Sequence, residues 1–150
     1  MQFTHTHKDC LAKSVLCWLA TASIEGVPNV SPKEIFSYYE SNKILVANIA
    51  SPQTLRNIKA NPFVCLSAID ILVQQGFQFK GQAEILTRKA TGYTEKEALL
   101  TEMTKGQFPF PSITEITVTS VKPIIAPRYL LYPGTTSQGQ IESAKKAYGF

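Results

Sequence analysis

The chain has 150 residues, 44% hydrophobic and 17% charged, which suits one ordinary folded domain and excludes a disordered, collagenous or low-complexity chain. Fifteen basic against eleven acidic residues leave a net charge of +4, spread along the sequence without the basic block of a nucleic-acid arm. No stretch approaches the roughly 20 apolar residues of a membrane span, and Cys10, Cys17 and Cys65, an odd number without C-x-x-C spacing, argue against a disulfide framework or a zinc site and for a reducing cytoplasm.

In chain order, apolar spacing predicts a short opening helix over about Lys8 to Leu16. The apolar run Val15 to Ala20 is too short for a signal peptide, and Asp9 spoils the basic flank, so export is not expected. Trp18 to Ala22 reads as a strand, Glu25-Gly26 as a turn, and Val27 to Tyr39 as a second extended run, which makes a hairpin. Pro28 and Pro32 cannot donate to a ladder, so this run is expected at an edge or with an interruption. Lys43 to Ile49 reads as a buried strand, followed at once by a helix with Ser51 as N-cap and Pro52 in the first helical position, ended by Asn61-Pro62. Phe63 to Val73 and Phe77 to Ile85 are strands joined by a turn at Gln74-Gln75-Gly76, the second alternating apolar and polar as a strand wet on one side does. Thr94 to Lys105 reads as a helix with Thr94 and Glu97 as its capping box. The stiff Phe108 to Pro111 segment leads into an extended run from Ile113 to Ile125, and a short helix is expected over Ile141 to Tyr148. Six or so hairpin-joined strands with a few short helices predict a mainly β fold, a small antiparallel barrel, and argue against a parallel α/β sheet.

The stretch from Ile44 to Pro62 carries the most chemistry. The first N–H groups of a helix lack internal partners and sit at the positive end of its dipole, so a strand running directly into a capped helix forms a phosphate site. Pro52 contributes no donor, which leaves Gln53, Thr54 and the hydroxyls of Ser51 and Thr54, with Arg56 or Lys59 adding charge. Elsewhere, His5 and His7 have no third metal ligand nearby and are expected on a frayed, solvated N-terminus; no metal site is expected. Cys17, Cys65 and Trp18 lie in apolar runs and are expected in the core. No Ser-His-acid arrangement or Gly-rich phosphate loop is present.

Together with LATASIEGVPNVSPKEIF (Leu19 to Phe36), the Ile44 to Pro62 stretch resembles the FMN-binding split barrels related to pyridoxamine 5'-phosphate oxidase. The resemblance continues through FVCLSAID and FQFKGQAEIL, and ITVTSVKPIIAP (Ile116 to Pro127) matches the closing strand. It implies one domain with a six-stranded, Greek-key-like antiparallel split barrel, and FMN as cofactor. It further implies a homodimer with shared flavin sites and a flavin-dependent oxidoreductase or electron carrier working with a small-molecule electron donor or acceptor. The flavin phosphate is matched to Ala47, Asn48, Ile49, Ser51, Gln53 and Thr54, and the ring to Val30, Ser31, Pro32 and Lys33. Pro32 is expected to break the ladder and free backbone groups for the ring's polar edge.

Where the oxidases proper have a Ser-Arg-Lys run, this chain has Ser51-Pro52-Gln53, so Arg56 is the candidate for the missing cation. Arg128-Tyr129-Leu130 is at best a loose echo of the arginine motif that holds the pyridoxal ring, which speaks against pyridoxamine phosphate as substrate. Lys33 is expected to tune the flavin from the ring's pyrimidine edge, with a phosphate contact or a solvated surface lysine as the alternatives. Ile35, Phe36, Tyr38 and Tyr39 offer an aromatic surface for a dimer interface. Two other readings compete. One is a non-catalytic basic barrel binding single-stranded nucleic acid; the other is a haem-binding split barrel, which lacks a convincing axial histidine.

Overall fold

The computed structural model describes residues 1–150. Helix α1 (His5–Lys13) precedes strands β1 (Cys17–Ala22), β2 (Pro28–Lys33), β3 (Phe36–Tyr39) and β4 (Lys43–Asn48). Helix α2 (Pro52–Ala60) follows, then β5 (Phe63–Asp70), β6 (Gln75–Leu86), α3 (Tyr93–Thr104), β7 (Ser112–Ile125), α4 (Pro127–Leu131) and α5 (Ser137–Tyr148). The seven strands form one antiparallel sheet in the order β2-β1-β5-β6-β7-β4-β3.

The two edge strands, β2 and β3, are neighbours in sequence, joined only by Glu34 and Ile35. Three Cα steps reach at most about 11 Å, whereas a flat sheet of seven strands would hold its edges about 29 Å apart. The sheet is therefore curled into a barrel, with its seam between β2 and β3. At the bend between Lys80 and Gly81 the β6–β7 register slips. A Cβ at Gly81 would lie 2.1 Å from the Thr117 carbonyl oxygen, so only glycine fits there.

Inward side chains of both halves of the sheet, including Leu19, Ile44, Leu66, Phe79 and Ile116, form the main core with Leu11 of α1 and Ile58 of α2. A second cluster lies under α3, where Tyr93 and Leu100 pack with Leu45 and Ile113. Beside it, buried Glu115 of β7 is held by Lys96 of α3 at 2.5 Å and Lys43 of β4 at 3.1 Å, and Lys96 also sits over the Tyr39 ring.

Several expectations are corrected. The sheet has seven strands because the run Val27 to Tyr39 is two strands on opposite edges, broken at Glu34 and Ile35. Pro28 and Pro32 do lie on an edge strand, but Pro32 pairs with Trp18 in an unbroken β1–β2 ladder. The backbone groups on the far side of β2 are open because it is an edge, not because of the proline. Helix α1 starts at His5, with a capping box between Thr4 and His7. His7 packs edge-on against Phe3, Phe77 and Phe79, so the N-terminus is docked, not frayed. Helix α3 starts after Gly92 in the left-handed region, without the Thr94–Glu97 box. Strand β5 ends at Asp70, whose Oδ1 accepts from the Leu72 and Val73 N–H groups, and the C-terminal segment forms two helices. Trp18 is 47% exposed because Cys17, Leu19 and Thr21 take the inward positions of β1. The expected interface aromatics are largely spent inside: Phe36 is buried and Ile35, Tyr38 and Tyr39 pack against the two cores.

Candidate functional site

Strand β2 turns Lys33, Ser31 and Asn29 to the side on which Cys17, Leu19 and Thr21 of β1 point, opposite them in register. Helix α2 is laid along this row. Its positions 51, 54 and 57 recur every three residues and therefore share a face. Each meets the row: the Lys33 ammonium donates to the Ser51 hydroxyl, the Ser31 and Thr54 hydroxyls are 3.0 Å apart, and Asn57 Nδ2 donates to Thr21 Oγ1 at 3.0 Å. These contacts fix the start of α2 against the edge strand.

The charge at this junction is unbalanced. Lys33 is only 6% exposed, and no carboxylate forms an ion pair with it. Burial pulls its ammonium below the ordinary lysine range, with Cys17 acting weakly the other way. Burial also pushes the Cys17 thiol up to about 12, so Cys17 is a neutral core group and not a nucleophile. Ser51 does not cap α2 with its side chain. In the first turn the N–H groups of Gln53 and Thr54 have no hydrogen-bond partner, while that of Leu55 bonds the Ser51 carbonyl. A buried ammonium without a carboxylate thus meets the hydroxyl of Ser51, the residue that leads into the unpartnered N–H groups of the first turn, and together these donors suit an anion.

The other predicted site residues are placed as follows. Arg56 is exposed and donates to Gln53 Oε1 at 2.8 Å, and Gln53 Nε2 donates to Asn57 Oδ1 at 2.9 Å, so the guanidinium is held near the first turn. Thr54 is fully buried with its hydroxyl already engaged. Asn48 is buried, donating to Ser112 Oγ and accepting from Thr114 Oγ1 at 2.8 Å, so its amide ties β4 to β7. Ala47 is buried and Ile49 is 45% exposed just before α2. Val30 and Pro32 point to the opposite, exposed face of β2. Asn57 and Thr21 were not anticipated; the i, i+3 spacing from Ser51 through Thr54 is the signal that would have pointed to Asn57. His5 and His7 lie on α1, and no group of three or more potential metal ligands occurs.

A family model described as pyridoxamine 5'-phosphate oxidase matches residues 3–122. The uncharacterised protein MJ0282 of Methanocaldococcus jannaschii is 35% identical over 71 residues, 46% of this chain and 47% of that protein. The chain thus matches about half the length of this curated relative. Among solved structures, HupZ of Group A Streptococcus aligns with a TM-score of 0.71 at 24% identity, covering 83% of this chain and 95% of that one. An FMN-binding protein from Syntrophomonas wolfei aligns with a TM-score of 0.68 at 13% identity, covering 79% and 83%. HutZ, a haem storage protein from Vibrio cholerae, aligns with a TM-score of 0.62 at 19% identity, covering 83% and 95%. At these identities the structural likeness shows a shared fold.

Proposed function

Since the chain belongs to the pyridoxamine 5'-phosphate oxidase family, we propose that it binds FMN and serves as a flavin-dependent oxidoreductase or flavin electron carrier. The observation that carries this reading is Lys33, a buried ammonium without a carboxylate, meeting Ser51 at the start of α2. A buried unpaired charge is unfavourable unless something neutralises it. A phosphate monoester supplies that charge and accepts from the Gln53 and Thr54 N–H groups as well. Lys33 is therefore read as the phosphate's cation, with Arg56 as an outer one. The direction of its ammonium, toward Ser51 at the start of α2, favours the phosphate over tuning of the ring. When bound, FMN would supply hydride or single-electron transfer. The protein contributes the open backbone edge of β2 from Val30 to Lys33, and α2, which Asn57 and Thr21 hold in place. Three free cysteines support a reducing compartment, the cytoplasm, and no helix is long and apolar enough to cross a membrane.

The purified protein is expected to be yellow and to release a fluorescent flavin on heating. Because the phosphate meets a charged donor, FMN should bind at least about tenfold more tightly than riboflavin. Equal affinities would remove the phosphate from this site, and failure to bind either would end the flavin reading.

A homodimer completes the proposal. Val30 (56% exposed) and Phe63 (65%) stand on the outer face of the β2–β1–β5 sheet. An apolar face of this kind suits a second copy better than water. Light scattering at micromolar concentration should give twice the chain mass; a monomer holding stoichiometric flavin would contradict it.

A further inference from the structure

A cavity of about 800 Å³ opens between α1, the β5–β6 turn and the end of β7. None of Lys33, Ser51, Thr54 or Arg56 lines it. Its volume falls within the roughly 300–1,000 Å³ of small-molecule sites. Most of its wall is apolar, with Leu16, Ile71 and Ile124 among the aliphatic residues and the rings of Trp18, Phe77 and Phe150 among the aromatic ones.

The charges in the wall give the cavity a sign. Asp9 of α1 and Asp70 at the end of β5 both line it, against one cation, Lys13. Neither carboxylate takes part in an ion pair. Asp70 uses only Oδ1, for the Leu72 and Val73 N–H groups, which leaves its other oxygen free. In a chain of net charge +4, this local excess of carboxylate runs against the overall balance. Aromatic faces add to the same preference, since their negative quadrupoles attract cations.

We propose that this cavity is a second ligand site, separate from the anion site on α2, and that it takes a planar, apolar organic cation. The apolar body would lie among Trp18, Phe77 and the aliphatic wall, and the charge would face Asp9 and Asp70. This proposal does not depend on the flavin reading.

The test uses two dyes of similar size, thioflavin T (a planar monocation) and 1-anilinonaphthalene-8-sulfonate (a monoanion), titrated calorimetrically into the purified protein with and without FMN. Thioflavin T is expected to bind once per chain, at least about tenfold more tightly than the anion. Asp9→Asn and Asp70→Asn should each weaken it severalfold, Asp70→Asn keeping a side-chain oxygen for the turn. Ile71→Arg, at an exposed wall position, should abolish it and strengthen the anion's binding. Should Asp70→Asn disturb the turn and lower the melting temperature, Asp9→Asn and Ile71→Arg, both at exposed positions, still decide the matter. Failure of the cation to bind, equal affinity for the anion, or a cation affinity unmoved by Asp9→Asn and Ile71→Arg would overturn the proposal. Binding of either dye is read without FMN as well, so a failed flavin reading would leave this result intact.

Discussion

Replacing Lys33 by Met is expected to weaken FMN binding by between about tenfold and a hundredfold, since a hydrogen bond to a charged group is worth about 1.5–3 kcal/mol. Riboflavin, which lacks the phosphate, should bind the variant as it binds the parent. The midpoint potential of the flavin-saturated variant should equal that of the parent, because the ammonium faces Ser51 at the start of α2. The same substitution should raise the melting temperature of the flavin-free protein, because it replaces an unpaired buried charge by a side chain of similar length. Burial lowers the Lys33 pKa, so the unfolded chain holds this proton more tightly than the folded one. Stability of the flavin-free protein should therefore rise with pH from the depressed folded value up to the ordinary lysine value. FMN affinity should fall over the same range, as the cation is lost. Titrations of FMN and riboflavin across alkaline pH, with thermal melts of both proteins, check all of these. Equal losses for FMN and riboflavin would mean that Lys33 supports the fold or the ring and not the phosphate.

The second large effect is expected at Glu115. Glu115→Gln removes the only carboxylate paired with Lys96, which is itself buried. Breaking such a pair from one side costs about 3–5 kcal/mol, toward the lower end here because Lys43 is partly exposed. Urea unfolding should show a loss of about 3 kcal/mol, and a loss under about 1 kcal/mol would mean that solvent screens the cluster. Burial by itself would raise the Glu115 pKa, but the bonds from Lys96 and Lys43 outweigh it and hold the carboxyl below its usual range. The stabilisation is thus fully present above the ordinary glutamate pKa and disappears as pH falls through the depressed folded value. Acid unfolding of the parent should show this loss, and Glu115→Gln should not.

Much of the fold was legible where a single signal decided it. The turn at Glu25-Gly26 and the Asn61-Pro62 stop are local, and they fall where the structure has a loop and a helix end. Strand β6 alternates as its sequence implies, with Phe79, Gly81 and Ala83 inward. The division of the extended run from Val27 is not legible, because extended chain on either side of Glu34-Ile35 looks alike in sequence, and only the closing of the sheet sends β3 to the far edge. The outward side of Trp18 is not legible either, because hydrophobicity alone does not say which alternate positions face inward; Cys17, Leu19 and Thr21 decide it. At the candidate site, the strand-to-helix junction was readable from Ser51-Pro52 and the preceding apolar run. The burial of Lys33 was not, because it depends on which face of β2 meets α2, a tertiary fact. Ser51 stands at the N-cap position as expected, but its hydroxyl receives the lysine and bonds no helix N–H group.

The seam between β2 and β3 also bears on how the chain reaches its native state. Four pairings join strands next to each other along the sheet's hairpins, β1 with β2, β3 with β4, β5 with β6, and β6 with β7. The β6–β7 pairing already spans the whole of α3. Strand β1 must then find β5, and β4 must find β7, Asn48 pairing with Ser112. On a ribosome the first two hairpins emerge with no sheet to join; the edge of β1 waits for β5, and that of β4 until β7 has been made. Non-local pairing of this kind slows folding to the millisecond-to-second range, and closure around Glu34 and Ile35 becomes the late event. A substitution that loosens the β4–β7 ladder, such as one at Thr114 or Asn48, should then slow refolding far more than one within the β1–β2 hairpin.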